Sequence, residues 1–292
     1  MKTFSIRMTL TVLVAVAACL FYSVISNAVA DDTATQFADH FLKKTPAPDV
    51  IGGITLEWAM KIQSDYVALI SKEYGPPIGY KAGLTNVAVQ ERFGVSHPLR
   101  GTLLEKMLFK TGVELEASFG VRPFHEGDLI LRVGDESINQ AQSIEDVIKY
   151  IDAAIPFIEL PDIIFSKQVK INGPALAAIN VAARYGVIGE PIPIEATAAW
   201  IERLKNFKLQ ILDENGNVLA EGTGSSLLDH PLNVVLWLRN SMLAEGKSLK
   251  KGDLLSLGTV TKLMPAKAGT TIRAVYTGLD PAGPVEVSVK FK

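Results

Sequence analysis

The chain has 292 residues, 21% of them charged and 48% hydrophobic, with 29 basic against 31 acidic residues and a formal net charge of −2. That length fills one large domain or two modest ones around a sizeable core. The near-neutral balance excludes a protein built to grip nucleic acid or another polyanion, and the single cysteine, Cys19, excludes a disulfide framework.

Lys2 and Arg7 flank the start of a long apolar stretch, and Ala28-Val29-Ala30 stands just before Asp31-Asp32. This is the layout of a signal peptide over residues 1–30 with cleavage after Ala30, which predicts a periplasmic or secreted protein. Val16-Ala17-Ala18-Cys19 is a loose lipoprotein box, but the apolar run continues through Leu20, Phe21 and Tyr22 and argues against processing there. Lipid attachment and an uncleaved anchor are the rival readings. Cleavage leaves 27 basic and 31 acidic residues, a formal charge of −4, no thiol, and no segment long and apolar enough to span a bilayer.

After a short helix at Thr35 to Lys43, the run Thr55 to Tyr74 places Leu56, Ala59, Met60, Ile62, Tyr66 and Ile70 mainly on one helical face, and Gly75-Pro76-Pro77 ends it. Short β-like runs follow: IGYKAGL, GTLLEKMLF, LILRV, AIPFIEL, FKLQIL, VLAEGTG, LLSLG, TIRAVY and VEVSVKF. Helices are expected between them at Ser143 to Ala154, Pro174 to Tyr185, Ala196 to Leu204 and Pro231 to Ala244. Asp213-Glu214-Asn215-Gly216-Asn217 reads as a hairpin turn. The irregular order of helices and strands predicts an α+β fold with a curved, mixed or mostly antiparallel sheet. A helix-rich region over 31–113 is expected to precede a β-rich domain over 114–292.

Three acids stand where apolar residues belong. Glu126 and Asp128, in FHEGDLILRV, are two apart, so on a strand they share a face and can hold one hard cation between them. The plainer reading is a strand that begins with exposed acids. Glu159 is enclosed by Ile155, Phe157, Ile158 and Leu160, where an unpaired carboxylate is costly, so it requires a basic partner or a metal. Lys81, in IGYKAGLT, poses the same question in reverse: its ammonium needs an anion, unless the side chain reaches water from a strand edge.

Taken in order, GYKAGLT, HPLRGTLL, the E-x-D pair, the later glutamate, NGPALAAINVAARYGVIG, LLDHPLNVVLWLRN and KKGDLLSLGTVT resemble the 2-keto-4-pentenoate hydratase branch of the fumarylacetoacetate hydrolase superfamily. The resemblance runs from about Thr55 to Phe291 and implies a mixed β-sandwich or roll, with the helical front packed alongside. It implies Mg²⁺ or Mn²⁺ held by Glu126, Asp128 and Glu159, with Asp128 standing where the family more commonly has Glu. Lys81 falls on the family lysine and is implied to be catalytic. Asn180 and Thr259 match polar positions near the family pocket and are substrate-binding candidates; His125 and His230 are weaker ones. The implied partner is a small 2-oxo or 2-hydroxydienoic acid, and an oligomer is implied as well.

One departure bears on the reaction. Pro98-Leu99-Arg100-Gly101 stands where the hydratases usually read P-D-(aromatic)-G, so Leu99 replaces the acid associated with proton transfer. Arg100 is a candidate for binding a second substrate carboxylate. A metal-dependent hydro-lyase is therefore the leading expectation. The alternatives are a decarboxylase or tautomerase of a 2-oxo dicarboxylic acid, and a non-catalytic exported carboxylate-binding protein on the same scaffold.

Overall fold

In the computed structural model, which describes residues 32–49 and 53–292, the chain opens with a helix over 32–43 (α1) and the amphipathic helix α2 (Leu56–Tyr74). Thr55 caps α2 by accepting from Trp58 N, and Gly75 ends it in a backbone conformation that favours glycine. The expected signal peptide lies outside the described residues. Among the described residues no helix is long and apolar enough to cross a membrane.

The strands and helices that follow are β1 (Pro77–Gly83), α3 (Val87–Phe93), β2 (Leu99–Leu104), β3 (Leu108–Lys110), β4 (Val113–Leu115), β5 (Phe124–Val133), α4 (Ile144–Val147) and β6 (Ile151–Leu160). Then come α5 (Gly173–Ala178), β7 (Tyr185–Ile188), β8 (Ile192–Pro193), α6 (Ala198–Asn206), β9 (Lys208–Leu212), β10 (Val218–Thr223) and α7 (Pro231–Ala244). The chain closes with β11 (Leu254–Ser256), β12 (Met264–Pro265), β13 (Thr271–Asp280) and β14 (Gly283–Phe291). The larger sheet has the order β2-β1-β11-β5-β6-β7-β3, with β12 against β5 and β8 against β6; the smaller runs β10-β9-β13-β14-β4. Parallel pairs (β1 with β11, β3 with β7, β4 with β14) mix with antiparallel ones, so the sheets are mixed as expected. β1 and β2, from the front of the chain, complete the sheet that carries β5 and β6.

Strand alternation sorts the core into two layers. Leu129, Leu131, Ile158 and Leu160 face Leu209, Ile211, Ala274, Val287 and Val289 of the smaller sheet, with Trp200, Leu204, Val234 and Val235 of α6 and α7 closing the ends. A second cluster packs Phe37 and Phe41 of α1, Ile62, Tyr66 and Ile70 of α2, and Ala175 and Ala177 of α5 against Leu99 and Leu104 of β2. The hairpin at 213–217 forms between β9 and β10, where the Asp213 carboxylate accepts from Asn215 N at 2.9 Å and Asn217 N at 2.8 Å.

Two expected helices are corrected. The segment 143–154 is helical only to Val147, followed by a 3₁₀ turn, and from Ile151 it is strand. Ala153 and Ala154 pair with Arg132 and Leu131 of β5, and that pairing overrides their helical preference. The segment 174–185 leaves the helix at Ala178 and turns through Asn180, Val181 and Ala182, all three left-handed at φ 57°, 52° and 58°.

Candidate active site

β5 and β6 lie in register with Glu126 opposite Glu159 and Asp128 opposite Phe157. Glu126, Asp128 and Glu159 therefore share the sheet face turned away from the inter-sheet core. Ser256 of β11 stands opposite Ile130, and Lys81 of β1 stands opposite Ser256, so the lysine joins the same face from two strands away. These side chains are not exposed strand-end acids: Glu126, Asp128, Glu159 and Lys81 are 6%, 0%, 2% and 3% accessible.

The Lys81 ammonium donates to Glu159 Oε1 and to the carbonyl of Val181 at 3.0 Å. Asp128 accepts from the Ser256 hydroxyl through one oxygen and from Leu129 N at 2.5 Å through the other. The Thr259 hydroxyl lies near the Glu126 carboxylate and opposes the rise of its pKa. The chain after β11 is drawn alongside β5 by Leu257 N on Leu129 O and Val260 N on Gly127 O, and this delivers Thr259. Lys81 and the three acids thus share one buried face with Thr259 beside Glu126, and Ser256 joins them as a hydrogen-bond partner of Asp128 that sequence reasoning missed. Its signal was its place in LLSLG, a hydroxyl inside an otherwise apolar strand.

Val181 brings its carbonyl to Lys81 only because the turn is left-handed, an unusual conformation for a β-branched residue and one that stores strain. The Asn180 side chain holds that turn, accepting from Thr102 N at 2.7 Å and donating to Thr102 O at 2.9 Å. A Cβ on Gly101 would lie 2.7 Å from Asn180 O, and one on Gly83 would lie 2.4 Å from Val181 Cγ1, so both positions need glycine for the turn to seat. Asn180 is accordingly spent on the backbone of β2, not aimed among the acids.

Arg100 requires a correction. Lys81 pairs with Gly101, so Arg100 points to the opposite face of the sheet, where it donates to Glu245 Oε1 at 2.6 Å and Ser241 Oγ at 3.1 Å. It is not placed to take a second substrate carboxylate. Leu99, two residues from Gly101, is on the Lys81 side and buried in the helical cluster. His230 caps α7 by accepting from Leu232 N at 3.0 Å, and its other ring nitrogen donates to Ile201 O. His125 faces the other sheet, with its ring 6.0 Å from that of Phe291, and burial pushes its pKa down to about 4. The surface groove lined by Pro156, Pro191, Pro193 and Pro281 contains none of these groups.

The electrostatics show a site short of positive charge. Burial pushes Asp128 up to about 8 and raises Glu126, against the opposing pull of Lys81. Burial likewise pulls Lys81 down to about 8, although Glu126 and Asp128 oppose that fall. Three buried carboxylates against one ammonium leave two negative charges uncompensated when all are ionised, and Glu159 Oε2 has no hydrogen-bond partner. Among the described residues no group of three or more His, Cys, Asp or Glu side chains is close enough together to hold a metal ion, and Glu159 is paired with Lys81. Even so, the donor set is all oxygen, is short by two positive charges and has an orphaned carboxylate atom, which fits a hard divalent cation.

Comparison with known proteins places the chain. It is 30% identical over 230 residues to the 2-oxo-hept-4-ene-1,7-dioate hydratase of Escherichia coli, covering 76% of this chain and 84% of that one. With the 2-hydroxyhexa-2,4-dienoate hydratase of Comamonas testosteroni it shares 27% over 241 residues, 80% of this chain and 87% of the relative. The solved 4-oxalocrotonate decarboxylase from Pseudomonas putida G7, complexed with magnesium and adipate, superposes with a TM-score of 0.80 at 22% identity, over 91% of this chain and 98% of that one. No family model matches the chain. Extent and identity of the match to the E. coli hydratase, on a fold shared nearly end to end with the decarboxylase, make this chain a member of the hydratase family that includes the 2-oxo-hept-4-ene-1,7-dioate and 2-keto-4-pentenoate hydratases.

Proposed function

We propose that the protein is a metal-dependent hydro-lyase that adds water to a small 2-oxo or 2-hydroxydienoic acid. The observation that carries this reading is the convergence of Glu126, Asp128, Glu159 and Lys81 on one buried face of β5, β6 and β1. The family relatives act on 2-oxo and 2-hydroxy unsaturated acids, and the decarboxylase neighbour was solved with magnesium and adipate.

Glu126, Asp128 and Glu159 would hold the ion, Mg²⁺ or Mn²⁺. Bound there, it supplies Lewis-acid polarisation of a 2-oxo oxygen and offsets the charge that collects on it during reaction. The residues do the rest. Ser256 and Leu129 N orient the Asp128 carboxylate, and Thr259 stands beside that of Glu126. Lys81 Nζ, held by the Val181 carbonyl, would bind the substrate carboxylate or carry a proton to the reacting carbon. Burial of the whole cluster excludes bulk water.

The test is Mg²⁺-dependent loss of dienol absorbance with 2-hydroxypenta-2,4-dienoate, abolished by Glu126→Ala. A purified protein that binds Mg²⁺ yet leaves a panel of dienols and oxaloacetate unchanged would overturn the reading. Thr259→Val tests the support of Glu126: Mg²⁺ affinity is expected to fall about 10- to 100-fold with the fold intact, as outer-shell losses do, measured by calorimetric titration.

A second reading, decarboxylation or tautomerisation of a 2-oxo diacid, is favoured by Leu99. Its buried side chain on the Lys81 side offers no proton where the family pattern has an acid. Following CO₂ release against water addition on the same substrates separates the two. For location we propose export to the periplasm or medium, supported by the charged, apolar and small-residue succession of residues 1–30. N-terminal sequencing of the mature protein should begin at Asp31; a Met1 start counts against it.

A further inference from the structure

The two acid-bearing strands pair in continuous register from Glu126↔Glu159 to Arg132↔Ala153. At the step where Asp128 faces Phe157, the hydroxyl of Tyr276, from β13 of the smaller sheet, bonds to both. Phe157 N donates to Tyr276 Oη at 2.9 Å, and that oxygen lies 2.5 Å from Asp128 O and 2.8 Å from Phe157 O. A hydroxyl has one proton and two lone pairs, so it accepts the Phe157 N–H and shares its own proton between the two carbonyls. The phenol therefore ties the backbone of β5 to that of β6 at this step.

Tyr276 is completely buried, its ring packed 6.0 Å from that of Phe207, and burial raises its pKa, so it remains a neutral donor. One step along the same two strands stands the Glu126–Glu159 pair. The Asp128 side chain is fixed separately, by Ser256 and Leu129 N.

We propose that Tyr276 is a positioning residue: by tying β5 to β6 it fixes the span between Glu126, Asp128 and Glu159, and so favours a small ion with strict geometry over a larger one. The inference rests on the reading of these acids as metal ligands. Mg²⁺ demands a near-ideal octahedral shell, whereas Ca²⁺ accepts a looser one, so a change in strand spacing falls unequally on the two. A tyrosine that served only to fill the core would change stability and leave the ratio of the two affinities alone.

The experiment is titration of Tyr276→Phe and the parent protein with Mg²⁺ and with Ca²⁺, alongside Glu126→Gln. Expected is a loss of Mg²⁺ affinity of about ten-fold or more, a smaller loss for Ca²⁺, and no metal binding by Glu126→Gln. If Tyr276→Phe leaves the Mg²⁺/Ca²⁺ ratio unchanged while Glu126→Gln abolishes binding, the positioning role is overturned and the metal site stands. If Mg²⁺ binding survives Glu126→Gln, the metal reading itself fails and takes the inference with it. Should Tyr276→Phe fail to fold, amide exchange in the parent decides: Mg²⁺ is expected to slow exchange at Phe157 more than at Ile130, and equal slowing overturns the proposal.

Discussion

Replacing Glu126 by Gln is expected to abolish Mg²⁺ binding and lower turnover about 10³-fold or more, while leaving the metal-free protein at least as stable as the parent. The loss follows from the ligand set: several kcal/mol of charge stabilisation is forfeited when the ion is lost, and each 1.36 kcal/mol is about ten-fold in rate. The gain in stability follows from burial. Glu126 is buried beside Asp128 and Glu159 with only Lys81 to balance three carboxylates, and its pKa is raised by that burial. An amide of the same shape keeps the packing and removes one buried charge that folding otherwise has to desolvate. About 1 kcal/mol of relief would raise Tm by about 2–4 °C in a protein of this size. Thermal melts in EDTA with matched turnover assays check both halves. A variant that melts well below the parent in EDTA would show that Glu126 is a structural acid, satisfied without any ion.

The same accounting explains which parts of the site were legible in the sequence. Glu126 and Asp128 share a face by the two-residue period of a strand, and Glu159 stood out because no carboxylate is left alone among Ile and Phe. What the period cannot supply is register. That Glu126 stands opposite Glu159, and that Lys81 joins their face by way of β11, depends on the pairing of β1, β11, β5 and β6, segments more than a hundred residues apart in the extreme. Arg100 shows the cost of missing it. Alternation alone sets Arg100 opposite in face to Leu99 and Gly101, but only the Lys81↔Gly101 pairing says which of those faces carries the acids.

The fold divides in the same way. Helix α2 was readable from its apolar face, its cap and its Gly-Pro-Pro stop, and the 213–217 hairpin from its Asp and Gly. The start of β6 was not, because Ala153 and Ala154 favour helix locally and become strand only by pairing with β5. The left-handed turn at 180–182 was not either: no local preference of Val181 points to it, and it exists because Asn180 is bound to Thr102 and two glycines on β1 and β2 make room. Tyr276 reads as an ordinary strand aromatic until the second sheet is laid on the first.

Lys81→Met is expected to lower both stability and turnover, where Glu126→Gln lowers turnover alone. Methionine replaces the aliphatic stem but removes the one ammonium hydrogen-bonded to Glu159, whose second oxygen already has no partner. Breaking a buried pair from one side costs about 3–5 kcal/mol, because the remaining charge is left uncompensated. The metal-free variant should therefore melt well below the parent. Mg²⁺ would supply the missing charge, so the rise in Tm on adding Mg²⁺ should exceed that of the parent, whereas Glu126→Gln should show no rise. Turnover should fall about 10²- to 10⁴-fold even at saturating Mg²⁺, the range for loss of a positioned proton carrier. Melting curves of the three proteins with EDTA and with Mg²⁺ separate these effects from misfolding. If Lys81→Met melts with the parent in EDTA, Glu159 does not depend on the lysine. The charge balance proposed for this face, three acids held by one ammonium and one divalent ion, would then be wrong.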